Sequence, residues 1–311
     1  MRRARFANSV TACVSLSLLS ACSTTDYAAP IGKFTASMTT ANASMKTYFT
    51  SMNDFERQVY LQEVLYDQTR TVDIILGGKK TALTPVFSDK SIQARLDALT
   101  LLTAYGQKLG ELAGSDASTR FAAGSKTLSD NLSGLANTFA GLAGSDDKTA
   151  ANYIGPIGAI VGVIGSQIIN RKRDEALKRA ITEGQPAVKT ILDQLEKDLG
   201  QVIAPLQTTG YLEELAAARL YYNNNRTTLS FGDRLQLIRN IDDLTGRYQA
   251  TLATDPAAPI KGIRAANEAL FKYAQSSHKP TDLAELAGAI DAFVAIVQPF
   301  ADAVAALRKG N

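Results

Sequence analysis

The chain has 311 residues, with 33 Lys and Arg against 30 Asp and Glu, one histidine, two cysteines and no tryptophan. This length holds one large domain or two small ones, and 45% hydrophobic residues can fill a substantial core. Alanine, leucine and threonine prevail and no run alternates as a strand does, so the composition is helical, while one histidine with so few cysteines excludes the usual zinc site.

Arg2, Arg3 and Arg5 precede an uncharged stretch from Phe6 to Leu19, and small residues then flank Cys22. A basic start before a short apolar run is the layout of a signal peptide. The run is too short to cross a bilayer, which takes ~20 apolar residues. Leu19-Ser20-Ala21-Cys22 resembles the lipobox of bacterial lipoproteins, where cleavage falls just before a cysteine that becomes lipidated. The resemblance implies loss of residues 1–21 and lipidation of Cys22, with palmitate among the fatty chains. One chain holds a protein only marginally, at ~0.8 kcal/mol per buried methylene, whereas three anchor it effectively permanently. Ser23, where inner-membrane lipoproteins carry Asp, points to the outer membrane, facing the periplasm. Removing Arg2, Arg3 and Arg5 leaves 30 basic and 30 acidic residues. No basic excess then argues for nucleic acid. Cys13 is lost and Cys22 is modified, so no thiol remains for a disulfide or a metal, and no cofactor is expected.

Residues 22–33 read as a lipidated flexible tether, and residues 34–311 as one all-helical bundle domain. A long helix is expected to begin between Ile31 and Thr35. Phe34, Met38, Ala41, Met45, Tyr48, Met52, Phe55 and Val59 alternate spacings of four and three, a heptad seam in which the methionines are core residues. The apolar face drifts on to Leu76, and Gly77-Gly78 is expected to end it. A connection over 79–90 leads to a helix from about Ser88 to Ala113, and another from about Asp116 to Ala143. Leu112-Ala113-Gly114-Ser115-Asp116 recurs as Leu142-Ala143-Gly144-Ser145-Asp146, a glycine stop followed by a cap. Two copies describe a helical hairpin, not a solenoid.

Thr149 to Asn170 carries no charge, and its centre, Ile154 to Ile169, is apolar. Gly155, Gly158, Gly162 and Gly165 line one helical stripe, which suits close packing or a membrane. As a helix this centre spans ~24 Å, short of a ~30 Å hydrocarbon core. The favoured reading is a glycine-rich central helix buried by its neighbours. The order of a long heptad helix, a glycine-rich apolar stretch and further long helices is similar to that of cytolysin A-like helical pore-forming toxins. That resemblance is architectural, and it implies an alternative in which Ile154 to Ile169 enters a bilayer.

Pro186 is expected to start a helix that carries Val188, Ile191, Leu192, Leu195, Leu199 and Val202. Pro205 should kink or break it, Gly210 marks a bend, and Asn223-Asn224-Asn225 a loop. Ser230 is a cap for a helix reaching Tyr248, and Asp255-Pro256 to Pro259 is a break. Helices over 260–277 and 283–307 close the chain, with Pro299 interrupting the last. The expectation is an elongated antiparallel bundle of seven to nine helices.

Catalytic patterns are sparse. His278, beside Pro280, has no partner in the sequence to make it a general base. Gly124-Ser125-Lys126-Thr127 lacks the earlier glycine of a phosphate loop. The acidic pairs Asp146-Asp147, Glu213-Glu214 and Asp242-Asp243 read as solvated, because adjacent side chains on a helix point apart. Arg171-Lys172-Arg173 reads either as the solvated start of an amphipathic segment or as a contact for lipid headgroups. The chain is therefore expected not to be an enzyme. It is expected to be a lipid-anchored binding or scaffolding module with an envelope protein partner. A histidine-independent hydrolase, with convergent carboxylates or a serine–lysine pair, is the further alternative.

Overall fold

The computed structural model describes residues 25–67, 69–70, 87–113, 153, 155–156, 158–160 and 173–309. Among them the chain is helical, with short connectors and no strand. The helices are α1 (Thr25–Tyr66), α2 (Asp89–Ala113), α3 (Arg173–Lys197), α4 (Ala204–Asn225), α5 (Phe231–Ala253), α6 (Ala258–Gln275) and α7 (Pro280–Lys309). A π turn, Asp198–Ile203, joins α3 to α4 without a break. These elements form six rods, fewer than the seven to nine expected; residues 153, 155–156 and 158–160 are helical as well, and the expected helix over 116–143 lies outside the described residues.

Pro205 accounts for one merger of two expected helices. Pro205 falls in the first turn of α4, and the preceding Ala204 N–H reaches back five residues to the Leu199 carbonyl. The wide turn makes room for a ring that would otherwise clash with the preceding turn. Pro186 and Pro299 also lie inside continuous helices, α3 and α7. Gly210 lies inside the continuous α4. A Cβ there would stand 2.9 Å from the Phe55 ring and 3.0 Å from Val59, so the glycine sets how closely α4 approaches α1.

Helix α1 begins at Thr25 and contains Pro30, and Ile31 is buried, so the flexible tether does not extend to residue 33. It ends at Tyr66, well before Gly77. Asp67 Oδ1 accepts the Thr69 N–H at 3.0 Å and its hydroxyl at 2.6 Å, a local turn that competes with further helix. Ser88 caps α2, its Oγ accepting the Ser91 N–H at 3.1 Å, as its place before the helix suggests.

At 42 residues, α1 is ~63 Å long and central to the core. Its seam from Phe34 to Phe55, all three methionines included, is buried. Helix α2 runs against it: Thr35 Oγ1 donates to the Gly106 carbonyl at 2.8 Å, and Asn53 Nδ2 to the Phe87 carbonyl at 3.1 Å. Helices α4 and α7 run along it in the same sense. Phe55 meets Tyr211 at 4.7 Å and Tyr66 meets Tyr221 at 5.6 Å, while Phe34 meets Phe293 at 6.1 Å and Tyr48 meets Phe300 at 6.3 Å. The expected antiparallel order therefore fails around α1, whose neighbours are of both senses.

Residues 280–305 of α7 are long and apolar enough to cross a membrane by length and composition. Leu286, Ile290, Phe293, Val297, Phe300 and Val304 repeat at four and three and are buried, so this face is occupied by the core. Gly262 lets α6 close on it, since a Cβ there would lie 2.7 Å from Phe293 Cδ2.

Candidate functional site

Two polar clusters stand out, one sealed and one beside the surface. The sealed cluster sits at the π turn. Arg95 of α2 is 2% exposed, and its Nε lies 2.9 Å from Oδ2 of Asp198, the first residue of the turn. This approach is off the line of a good hydrogen bond, so charge holds it. Tyr153 donates its hydroxyl to Asp198 Oδ2 at 2.7 Å, and Gln194 Nε2 donates to Oδ1 at 3.0 Å. Arg95 Nη1 also reaches the Ser91 carbonyl at 2.8 Å, and its guanidinium lies 4.6 Å from the Phe87 ring centre. Burial and the Asp198 carboxylate raise the Tyr153 phenol well above its ordinary value, so it remains a donor. The cluster ties α2, Tyr153 and the turn together and presents no face to a ligand.

The second cluster lies where α1, α4 and α5 meet. Glu214 of α4 is fully buried, yet neither of its carboxyl oxygens has a hydrogen-bond partner. Burial pushes the carboxyl up to about 7; Arg247 opposes the shift and Glu63 adds to it. Around it, Asn240 Nδ2 donates to the Tyr66 hydroxyl at 2.6 Å, and Arg247 pairs with Asp243 at 2.8 Å. Beside the cluster opens a groove of about 570 Å³, lined by Gln62, Leu65, Tyr66, Tyr221, Leu237 and Asn240.

Among the described residues, the groove opens where α1 outruns its cover. Phe87, just before α2, reaches Asn53 of α1, and beyond that Phe55 and Tyr66 meet Tyr211 and Tyr221 of α4. The seam is buried up to Phe55, then emerges at Leu61 and Leu65, the latter 64% exposed. Helix α5 gives little more cover. It packs on α4, and Leu244 is its one buried residue. Ser230 caps α5, accepting the Asp233 N–H at 3.1 Å.

Of the residues singled out in the sequence, Gly155 and Gly158 are exposed, with open space where a Cβ would be, while Tyr153 and Ile160 are buried. At these positions the stretch is covered on one side, not on all sides, and these two glycines meet no close neighbour. Cys22, Gly162, Gly165, Asp146-Asp147 and Gly124-Ser125-Lys126-Thr127 lie outside the described residues. His278 is in the α6–α7 turn at φ 57°, its ring stacked on Tyr273 at 4.9 Å. Asp242 and Asp243 are exposed as expected, but Glu214 is not, because α5 folds over it. Asn223, Asn224 and Asn225 end α4 instead of forming a loop.

Sequence reading missed Arg95, Asp198 and the isolation of Glu214. Asp198 follows an apolar helix face with nothing to mark it as buried. For Glu214 the available signal was its spacing three residues after Tyr211 and four before Ala218, both on the buried face of α4. No family model, curated protein or solved structure matches this chain.

Proposed function

We propose that the chain is a lipid-anchored envelope protein that serves as a periplasmic binding or scaffolding module, holding a protein partner on a helical surface. The observation that carries this reading is the α1 seam continuing past its covering helices into a groove walled by Leu65, Tyr66, Tyr221 and Leu237. An amphipathic helix laid in such a groove would extend the packing that α2 gives the first half of α1. The anchoring half of the proposal rests on Leu19-Ser20-Ala21-Cys22.

Each half has its own test. Metabolic labelling with palmitate should mark the wild-type chain and not Cys22→Ala, which should also keep its first 21 residues; equal labelling of both contradicts the anchor. A photo-crosslinker at Leu65 should capture one envelope protein in cells, and Leu237→Asp should abolish the capture. A crosslink that persists in Leu237→Asp contradicts the groove as the binding surface.

A further inference from the structure

The apex of the α4–α5 hairpin has a composition found nowhere else in the described structure. From Ala216 to Ile241 the chain holds Arg219, Arg226, Arg234 and Arg239, one acid, Asp233, and no lysine or glutamate. That acid is already engaged, its Oδ2 accepting the Ser230 hydroxyl at 2.7 Å. Arg219, Arg226 and Arg239 are exposed. Among them stand large apolar side chains turned to solvent: Phe231 at 74%, Leu220 at 62%, and also Leu235 and Ile238. Phe231, Leu235 and Ile238 share one face of α5 by their spacing. Phe231 is the first residue of α5, at the very tip.

We propose that this apex docks on an anionic lipid surface, with Phe231 and Leu220 entering the headgroup boundary and the arginines meeting phosphates. Apolar wedges ringed by arginine match a negatively charged bilayer in both of its components, since the hydrocarbon takes the rings and chains while the phosphates take the guanidiniums. A neutral bilayer or an acidic protein would satisfy only half of that surface. The apex is also at the end of α1 away from Thr25. Tyr66, the last residue of α1, meets Tyr221 near the end of α4, their rings tilted, while Cys22 stands three residues before Thr25 in the sequence. The two ends are thus ~60 Å apart along α1. Resting on the anchoring proposed above, this apex would bring a second membrane, opposite the one that holds the lipid. Its lipid affinity, however, is independent of the anchor.

The test uses residues 23–311, which contain the whole described fold and lack the lipid. Flotation with phosphatidylglycerol-containing vesicles should carry the protein up, flotation with pure phosphatidylcholine should not, and added salt should weaken the binding. Arg226→Glu and Arg239→Glu should each lower the partition coefficient about five- to tenfold. Phe231→Asp should lower it at least tenfold while the circular dichroism spectrum stays unchanged. Equal binding to both vesicle types, no binding at all, or insensitivity to Phe231→Asp and the arginine variants overturns the proposal. So does binding that Gly162→Asp removes and Phe231→Asp leaves, which would assign it to the glycine-rich stretch. Palmitate labelling of Cys22 is read separately, so loss of the anchor and loss of apex binding are distinct results.

Discussion

Asp198 and Glu214 are both buried carboxyls on the long rod formed by α3, the π turn and α4, about one-third of α1's length apart, and they are held in opposite ways. Asp198 has a guanidinium, a phenol and an amide directed at it. Glu214 has no hydrogen-bond partner and an arginine that pairs with Asp243. A buried charge is tolerated when its lone pairs are filled, and is costly when they are not. The π-turn region is therefore a fixed joint. The α1–α4–α5 region is one whose stability depends on whether a single proton is bound. The groove and the exposed apex lie at that second joint.

Substitutions can break or sharpen this contrast. The largest effect is expected at the paired site. Arg95→Met leaves Asp198 charged in the core and should cost about 3–5 kcal/mol in urea unfolding, whereas Arg95→Met with Asp198→Leu should recover most of it. An equal loss in both would show that the pair is not the source. Next, Gly262→Val at the α6–α7 contact should lower stability by about 1–3 kcal/mol, because Phe293 would have to move.

Glu214→Gln is expected to act in the other direction, and only at neutral pH and above. The folded carboxyl titrates at about 7, above the ~4.3 of an unfolded glutamate. Between those values the folded state holds the extra proton, so stability falls as pH rises through the window and is level on either side. Glu214→Gln should flatten that slope, stabilise the protein by roughly 1–3 kcal/mol at pH 8, and change little near pH 4. A stability gain of equal size at both pH values would contradict the assignment. The smallest effect, ~1 kcal/mol, is expected for Ser230→Ala, which removes the α5 cap that Ser230 provides to the Asp233 N–H.

What could be read from the sequence was local. The α1 seam, the cap at Ser230, and the break at Asp255-Pro256 depend on residues close together in the chain, and the structure places them as their spacing requires. The prolines misled because a helix end was inferred from one residue, while the neighbouring turn at Asp198–Ile203 widened to accept Pro205. Glycine at 210 suggests a bend by its flexibility, whereas what requires it there is Phe55, some 150 residues earlier in the chain. The two carboxyls were illegible for the same reason. Whether Asp198 or Glu214 is buried depends on Arg95, Tyr153 and α5, and no spacing within the rod reports them. The apex was legible as letters, four arginines near a phenylalanine, but their exposure came from the fold.

Hydrogen exchange of the backbone amides, followed residue by residue at pH 5 and pH 8 after correction for the intrinsic rate, would test the contrast most directly. Amides of α5 from Asn240 to Tyr248 should lose protection at pH 8, amides of α2 from Arg95 to Leu109 should keep theirs, and Glu214→Gln should make the two helices respond alike. Equal loss in α2 and α5, or a loss in α5 that survives Glu214→Gln, would contradict the division into a fixed and a proton-dependent joint.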